Sequence, residues 1–256
     1  MMRAATTWWA GCLSAVLLVS PAWGQRRVDH GPWDELLRRY VQGGLVDYQS
    51  WQADQVALDR YLASLQEVDP AQLASREGQL AFWINLYNAS VVKGVLRRFP
   101  LKSVKQVPGF FDGLMYPVNR KLLTLNEIEE QARLLGDWRV HFALVCASSS
   151  CPLLRAEAYV PERLNNQLTE QTVQFLNDPQ RGLRVEGRTL WLSKIFDWYP
   201  ADFVPEAKGF FHRLTPEKLA PIVKPYLAPE VAQMIGQGRL EIRYLDYDWT
   251  LNAQHP

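Results

Sequence analysis

The densest reactive chemistry in the sequence lies in Val140–Pro152, VHFALVCASSSCP, where His141, Cys146 and Cys151 surround a run of small hydroxyl residues. A cysteine with a histidine and a carboxylate in reach is the arrangement of a thiol nucleophile: the imidazole takes the thiol proton and the carboxylate orients the imidazole. The apolar run Val140–Cys146 reads as a buried strand. Side chains alternate along a regular strand, so His141 and Cys146, an odd number of residues apart, are expected to face opposite ways. Cys151 escapes that constraint. It precedes Pro152, which suits the first turn of a helix, and a sulfur at such a cap sits near unpaired N–H groups that favour the thiolate. Cys151 is therefore the expected nucleophile, His141 the base and Asp197 the carboxylate that aligns it.

The same residues admit other chemistry. Cys146 resolving an attack by Cys151 makes a redox or transferase pair. A disulfide between them closes so short a loop that its value lies in fixing the turn, and it leaves a non-catalytic binding or scaffold module. As metal ligands, His141, Cys146 and Cys151 match no standard zinc spacing and lack an evident fourth member, so neither metal nor other cofactor is expected. His30 and His255 lie near the termini, and His212 sits among Phe210, Phe211 and Arg213 as packing or surface. Asp197 and Asp202 flank Trp198-Tyr199, while Asp246 and Asp248 flank Tyr247. Carboxylates so surrounded by aromatic rings ordinarily lock turns. No phosphate loop, nucleophile elbow or His-Glu-x-x-His motif occurs.

Several elements must position these groups. Trp33, Leu36, Leu37 and Tyr40 recur at helical spacing, and Ala53–Leu65 repeats the pattern. Arg76–Phe99 is the longest helical stretch, apolar around more of its circumference than a surface helix needs, and therefore central. Asn85 and Asn88 share one side of it. Because asparagine is a poor helix former, the two amides are expected either to satisfy loop backbone or to orient a substrate or catalytic group. Met115–Leu125 reads as a hairpin turning at Asn119-Arg120, and Thr124 with Glu127 is spaced as a capping box. A short helical piece is expected beyond Pro152 and a longer helix from Pro161. Leu183–Ile195 reads as a second hairpin, Thr215-Pro216 opens a helix, and Arg239–Leu245 reads as an antiparallel strand. Helices crowd the first half and strands the second, without βαβ alternation. The expected class is α+β, with a central helix packed on a mainly antiparallel sheet in one domain over residues 25–256.

The first residues carry one Arg, an apolar core from Trp8 to Val19, and then Pro21 and small residues. That order is the order of a secretory signal peptide over residues 1–24, with cleavage expected after Gly24 and a periplasmic or secreted destination. With 28 basic against 27 acidic residues and no long basic run, nucleic acid is not an expected partner. No membrane span is expected after cleavage. An unidentified small-molecule or peptide substrate is the expected partner.

Four segments taken together, AFWINLYNA at 81–89, VHFALVCASSSCP at 140–152, LSKIFDWYPADF at 192–203 and YDWTLN at 247–252, resemble the DUF547 family from about Trp33 to Asn252. The resemblance implies no established activity. It implies that bacterial members are commonly exported, and that related eukaryotic domains occur in larger proteins, some beside a glutaredoxin domain, which favours thiol chemistry. The order of a polar helix, a histidine strand and an aspartate is also similar to the papain-like and transglutaminase-like layout, with Asn85 and Asn88 where those enzymes carry the cysteine.

Overall fold

The computed structural model describes residues 27–207, 214–237 and 239–254. The signal-peptide reading of residues 1–24, His212 and His255 lie outside the described residues. The chain opens with α1 (Gly31–Tyr40), the two-residue strands β1 (Val41–Gln42) and β2 (Leu45–Val46), α2 (Tyr48–Gln52) and α3 (Gln55–Gln66). α2 starts where the Asp47 side chain accepts from the Ser50 backbone N–H.

The longest helix is α4 (Arg76–Leu96), capped by Ser75, whose hydroxyl accepts from Gly78 N–H at 3.0 Å. Every residue from Leu80 to Leu96 is buried, so the helix is enclosed on all sides. Lys93 within it is kept soluble by Asp59 at 2.7 Å. Closeness of packing is visible at Gly94, where an added Cβ would lie 2.9 Å from the Tyr116 hydroxyl.

Next come β3 (Met115–Val118) and β4 (Lys121–Thr124), turning at Asn119 and Arg120, both at positive φ as a tight hairpin requires. α5 (Leu125–Leu134) carries the expected capping box between Thr124 and Glu127. The central helix rests chiefly on α5 and α3 rather than on a sheet. The mixed helix-and-strand class stands, but the strands form separate small sheets.

Val140–Cys146 is not a strand. Residues Trp138–Phe142 form a 3-10 turn, begun by Asp137 accepting from Arg139 N–H, and an irregular segment follows. Two of the backbone groups that a ladder would have used, Ala143 C=O and Val145 N–H, are taken instead by the Asn88 side chain. The turn is also a seam. Val140 belongs to a hydrophobic core built around α1–α5, whereas Phe142 belongs to a second core. His141 lies between them.

The second core is built from α6 (Leu164–Leu176), the hairpin of β5 (Leu183–Glu186) and β6 (Thr189–Leu192), then α7 (Lys194–Trp198), α8 (Pro200–Phe203), α9 (Pro216–Val223), α10 (Pro229–Gly236) and β7 (Glu241–Tyr244). β7 pairs with β6 in parallel, not antiparallel as its alternation suggested. Four helices separate the two strands, which is the crossover length that parallel pairing needs.

From Asp246 the chain returns to the first core as a strap. Thr250 C=O accepts from Ser149 N–H at 2.8 Å, Asn252 N–H donates to Ala147 C=O at 3.2 Å, and Val46 N–H donates to Asn252 C=O at 2.9 Å. Among the described residues no helix is long and apolar enough to cross a membrane.

Candidate functional site

A cleft of about 630 Å³ opens where the two cores and the strap meet, and its lining includes His141, Cys146, Cys151, Tyr199, Trp198 and Tyr247. His141 comes from the seam, Tyr199 and Trp198 from the second core's α7–α8 region, and Tyr247 from the strap.

The carboxylate on His141 is Asp202. Its Oδ2 lies 2.8 Å from His141 Nε2 and 2.6 Å from Arg133 Nε of α5. Burial alone would raise the Asp202 pKa, but the hydrogen bonds from His141 and Arg133 and the Arg133 charge more than reverse this and hold the carboxyl well below its usual range. An ionised carboxylate only accepts, so Nε2 carries the proton of this hydrogen bond. In the neutral ring Nδ1 is then the unprotonated nitrogen, the one able to act as base. Tyr199, with its ring 4.5 Å from the imidazole, and Phe203, at 5.3 Å, clamp the ring plane. Arg133 in turn covers the other part of this assembly, its guanidinium 4.4 Å from the centre of the Tyr199 ring.

Asp197 is placed elsewhere. It is half-exposed on α7 and pairs with Lys194 at 2.9 Å. The spacing FDWYPAD offers two carboxylates, and only the fold, which turns α8 toward the seam, selects the second.

The two cysteines are both free, so no disulfide joins them. Cys151 is buried, and its sulfur accepts the Cys146 backbone N–H at 2.9 Å. No helix follows Pro152; the chain is irregular until a 3-10 turn at Pro161–Arg163, so the expected helix cap on Cys151 is absent. Burial first, then hydrogen bonding to and charge from Cys146, push the Cys151 thiol well up. Cys146 has the opposite surroundings. It is half-buried, its sulfur lies 3.1 Å from both Ser148 Oγ and Tyr247 OH, and the Ser148 backbone N–H and the neighbouring Cys151 side chain also favour its ionised form. Burial, the largest single influence, opposes ionisation, yet these hydrogen bonds together outweigh it and lower the Cys146 thiol.

The turn that makes this possible is strained. Ala147 adopts φ 61°, a left-handed conformation that a residue with a Cβ rarely takes, and it curls Ser148 back onto the sulfur. The strap holds the turn in that shape.

Asn85 and Asn88 do not line the cleft. Each amide closes a pair of backbone hydrogen bonds. Asn85 joins both groups of Tyr159, accepting at 3.0 Å and donating at 2.7 Å, while Asn88 accepts from Val145 N–H and donates to Ala143 C=O, both at 2.9 Å. Asn88 therefore fixes the segment that delivers Cys146.

Beside the sulfur, Trp198, Tyr247 and Trp249 pack ring against ring, with centroids 4.8 Å apart for the first pair and 4.7 Å for the second. Lys105 places its ammonium 4.6 Å over Trp249. Among the described residues no group of three or more His, Cys, Asp or Glu is arranged to hold a metal ion.

Sequence reasoning singled out the sulfurs and His141 but passed over Ser148, Arg133, Asp202 and Tyr247 as site residues. The last two stand inside LSKIFDWYPADF and YDWTLN, two of the segments that carried the family resemblance. That was the available signal.

Comparison with curated proteins and with solved structures finds no match. A family model does match residues 70–176, a narrower span than the resemblance, holding α4, His141, Cys146 and Cys151 but ending before Asp202 and Tyr247. Over that stretch the chain is similar to the family described as protein of unknown function, DUF547.

Proposed function

We propose that this protein is a thiol-dependent enzyme of acyl or peptide transfer or hydrolysis, with Cys146 as nucleophile and His141, aligned by Asp202, as the group that moves the proton. The observation that carries this reading is the convergence of the Ser148 backbone N–H and the Tyr247 phenol on a Cys146 sulfur whose pKa is lowered, in a cleft that His141 also lines. A hydrogen-bonded thiolate in a cleft is an available nucleophile, whereas a thiol whose pKa burial raises is inert. Cys151 then supports the nucleophile instead of attacking: it takes up the Cys146 N–H and stays a neutral thiol beside it. Such a site accepts a carbonyl substrate, small molecule or peptide. Export through the N-terminal segment would place it in the periplasm or outside the cell, and a secreted form beginning at Gln25 is the expected mature product.

Alkylation by iodoacetamide across pH tests the reading. The rate is expected to inflect below the value of an unperturbed thiol, about 8.5. Cys146→Ala should abolish it, and Cys151→Ala should retain labelling at Cys146 with a raised inflection. If neither sulfur reacts before denaturation, or if Cys146→Ala leaves the rate unchanged, the enzyme reading fails.

A further inference from the structure

A thiolate attacking a carbonyl must place the new negative charge on oxygen, and catalysis depends on donors aimed at that oxygen. One backbone donor, the N–H of Cys146 itself, is already spent on Cys151 Sγ at 2.9 Å, and a second, the Ser148 N–H, is directed at the sulfur. Another donor is required. The phenol of Tyr247 lies 3.1 Å from Cys146 Sγ and receives the Ser148 hydroxyl at 3.1 Å. A phenol has one proton to give, and since Ser148 fills its acceptor side, that proton points at the sulfur. Once the sulfur has attacked, it loses its charge and no longer competes for the proton. The oxyanion is separated from the sulfur only by the attacked carbon, so a small rotation of the O–H brings it onto the oxygen.

We propose that Tyr247 is the oxyanion donor of the Cys146 reaction. This rests on the reading of Cys146 as nucleophile given above. Two features fit the role. Burial, followed by the charge of the neighbouring cysteines, pushes the phenol pKa far up, so the O–H remains a donor wherever the thiolate exists. Packing of its ring against Trp198 and Trp249, at 4.8 and 4.7 Å, fixes its position before substrate arrives. In the step itself the Cys146 sulfur forms a bond to the carbonyl carbon, the π pair moves to oxygen and is held by Tyr247, and collapse expels the leaving group. Tyr247 keeps its proton throughout.

The test compares two reagents on the same thiolate. Iodoacetamide reacts by displacement at a saturated carbon and develops no oxyanion, whereas p-nitrophenyl acetate acylates through one and releases p-nitrophenolate. For Tyr247→Phe, measured on the high-pH plateau where the thiolate is fully formed, alkylation should stay within about threefold of wild type. Acylation should fall about tenfold to a hundredfold, in line with loss of one oxyanion donor. Retained alkylation also shows that the variant is folded. An equal fall in both rates would reduce Tyr247 to a structural prop, and an unchanged acylation rate would remove it from the chemistry; either result overturns the proposal. If Cys146→Ala is acylated as fast as wild type, the Cys146 reading falls and takes this one with it. Loss of acylation in Cys146→Ala with no effect of Tyr247→Phe refutes the Tyr247 role alone.

Discussion

Asn85 and Asn88 are near-identical devices serving different loops, and that makes them a matched pair for separating stability from function. Truncation of either to Ala leaves one carbonyl and one N–H unpaired: those of Tyr159 for Asn85, those of Ala143 and Val145 for Asn88. Both side chains are buried, at 0% and 2% exposure, so water cannot replace the lost partner without rearrangement. An unsatisfied buried backbone group costs about 1–3 kcal/mol, so each substitution should lower unfolding free energy by about 2–5 kcal/mol. Urea denaturation followed by tryptophan fluorescence measures this. The two should differ at the sulfur. Asn88→Ala loosens the segment leading directly into Cys146, and losing the equivalent of one charge-assisted hydrogen bond, about 1.5 kcal/mol, raises the inflection of Cys146 alkylation by about one pH unit. Asn85→Ala should leave the inflection where it is. Equal shifts in the two variants, or a cost below about 1 kcal/mol for Asn88→Ala, would refute the argument that this amide positions the nucleophile.

Three further outcomes follow from the same geometry. Asp202→Asn keeps the shape but removes the charge shared by Arg133 and His141, and should lower stability at pH 7 by about 2 kcal/mol, read as a shifted urea midpoint. Acid should destabilise the wild type progressively: Asp202 is held well below the carboxylate range and Glu157, between Arg155 and Arg163, is held at about 2 against opposing burial. Because both folded pKa values lie below the unfolded ones, their contribution is complete above about pH 5 and is lost progressively as pH falls, that of Glu157 through about 2 and that of Asp202 lower still, with Glu157 accounting for roughly 1–2 kcal/mol after solvent screening; denaturation midpoints measured from pH 7 to 2.5 check it, and Asp202→Asn should show a shallower fall. Gly94→Ala sets a methyl 2.9 Å from the Tyr116 hydroxyl and 3.0 Å from the Phe110 ring, and should cost about 1–3 kcal/mol by thermal or chemical unfolding despite the better helix propensity of alanine.

What the sequence shows of the fold follows from how local each signal is. α1, α4 and α5 are legible because their spacing and caps lie within the element: Ser75 on Gly78 N–H, Thr124 with Glu127. Val140–Cys146 is illegible because a short apolar run has no period of its own; the competing claim came from Asn88 on α4, more than fifty residues earlier, which takes up two of the segment's backbone groups. β7 alternates as either kind of strand would, and only the intervening helices make its pairing parallel. At the site the residue types were visible and their partners were not. Cys146 and Cys151 differ in sequence mainly by the proline after one of them, yet their environments are decided by Ser148 and by a tyrosine at position 247. Asp197 and Asp202 lie on two consecutive short helices, α7 and α8, and the seam chooses between them.

The strap has a consequence in time. Tyr247 follows Cys146 by 101 residues, so on a chain emerging at roughly 5–20 residues per second the sulfur exists for about 5–20 s before the residue that completes its surroundings has been made. Over that interval Cys146 is an ordinary thiol on an incomplete fold, with Ala147 free to leave its left-handed conformation. The hydrogen bonds around the Cys146 sulfur are completed only when the chain closes over itself, and a product cut short before the strap carries the cysteine without its Tyr247 partner.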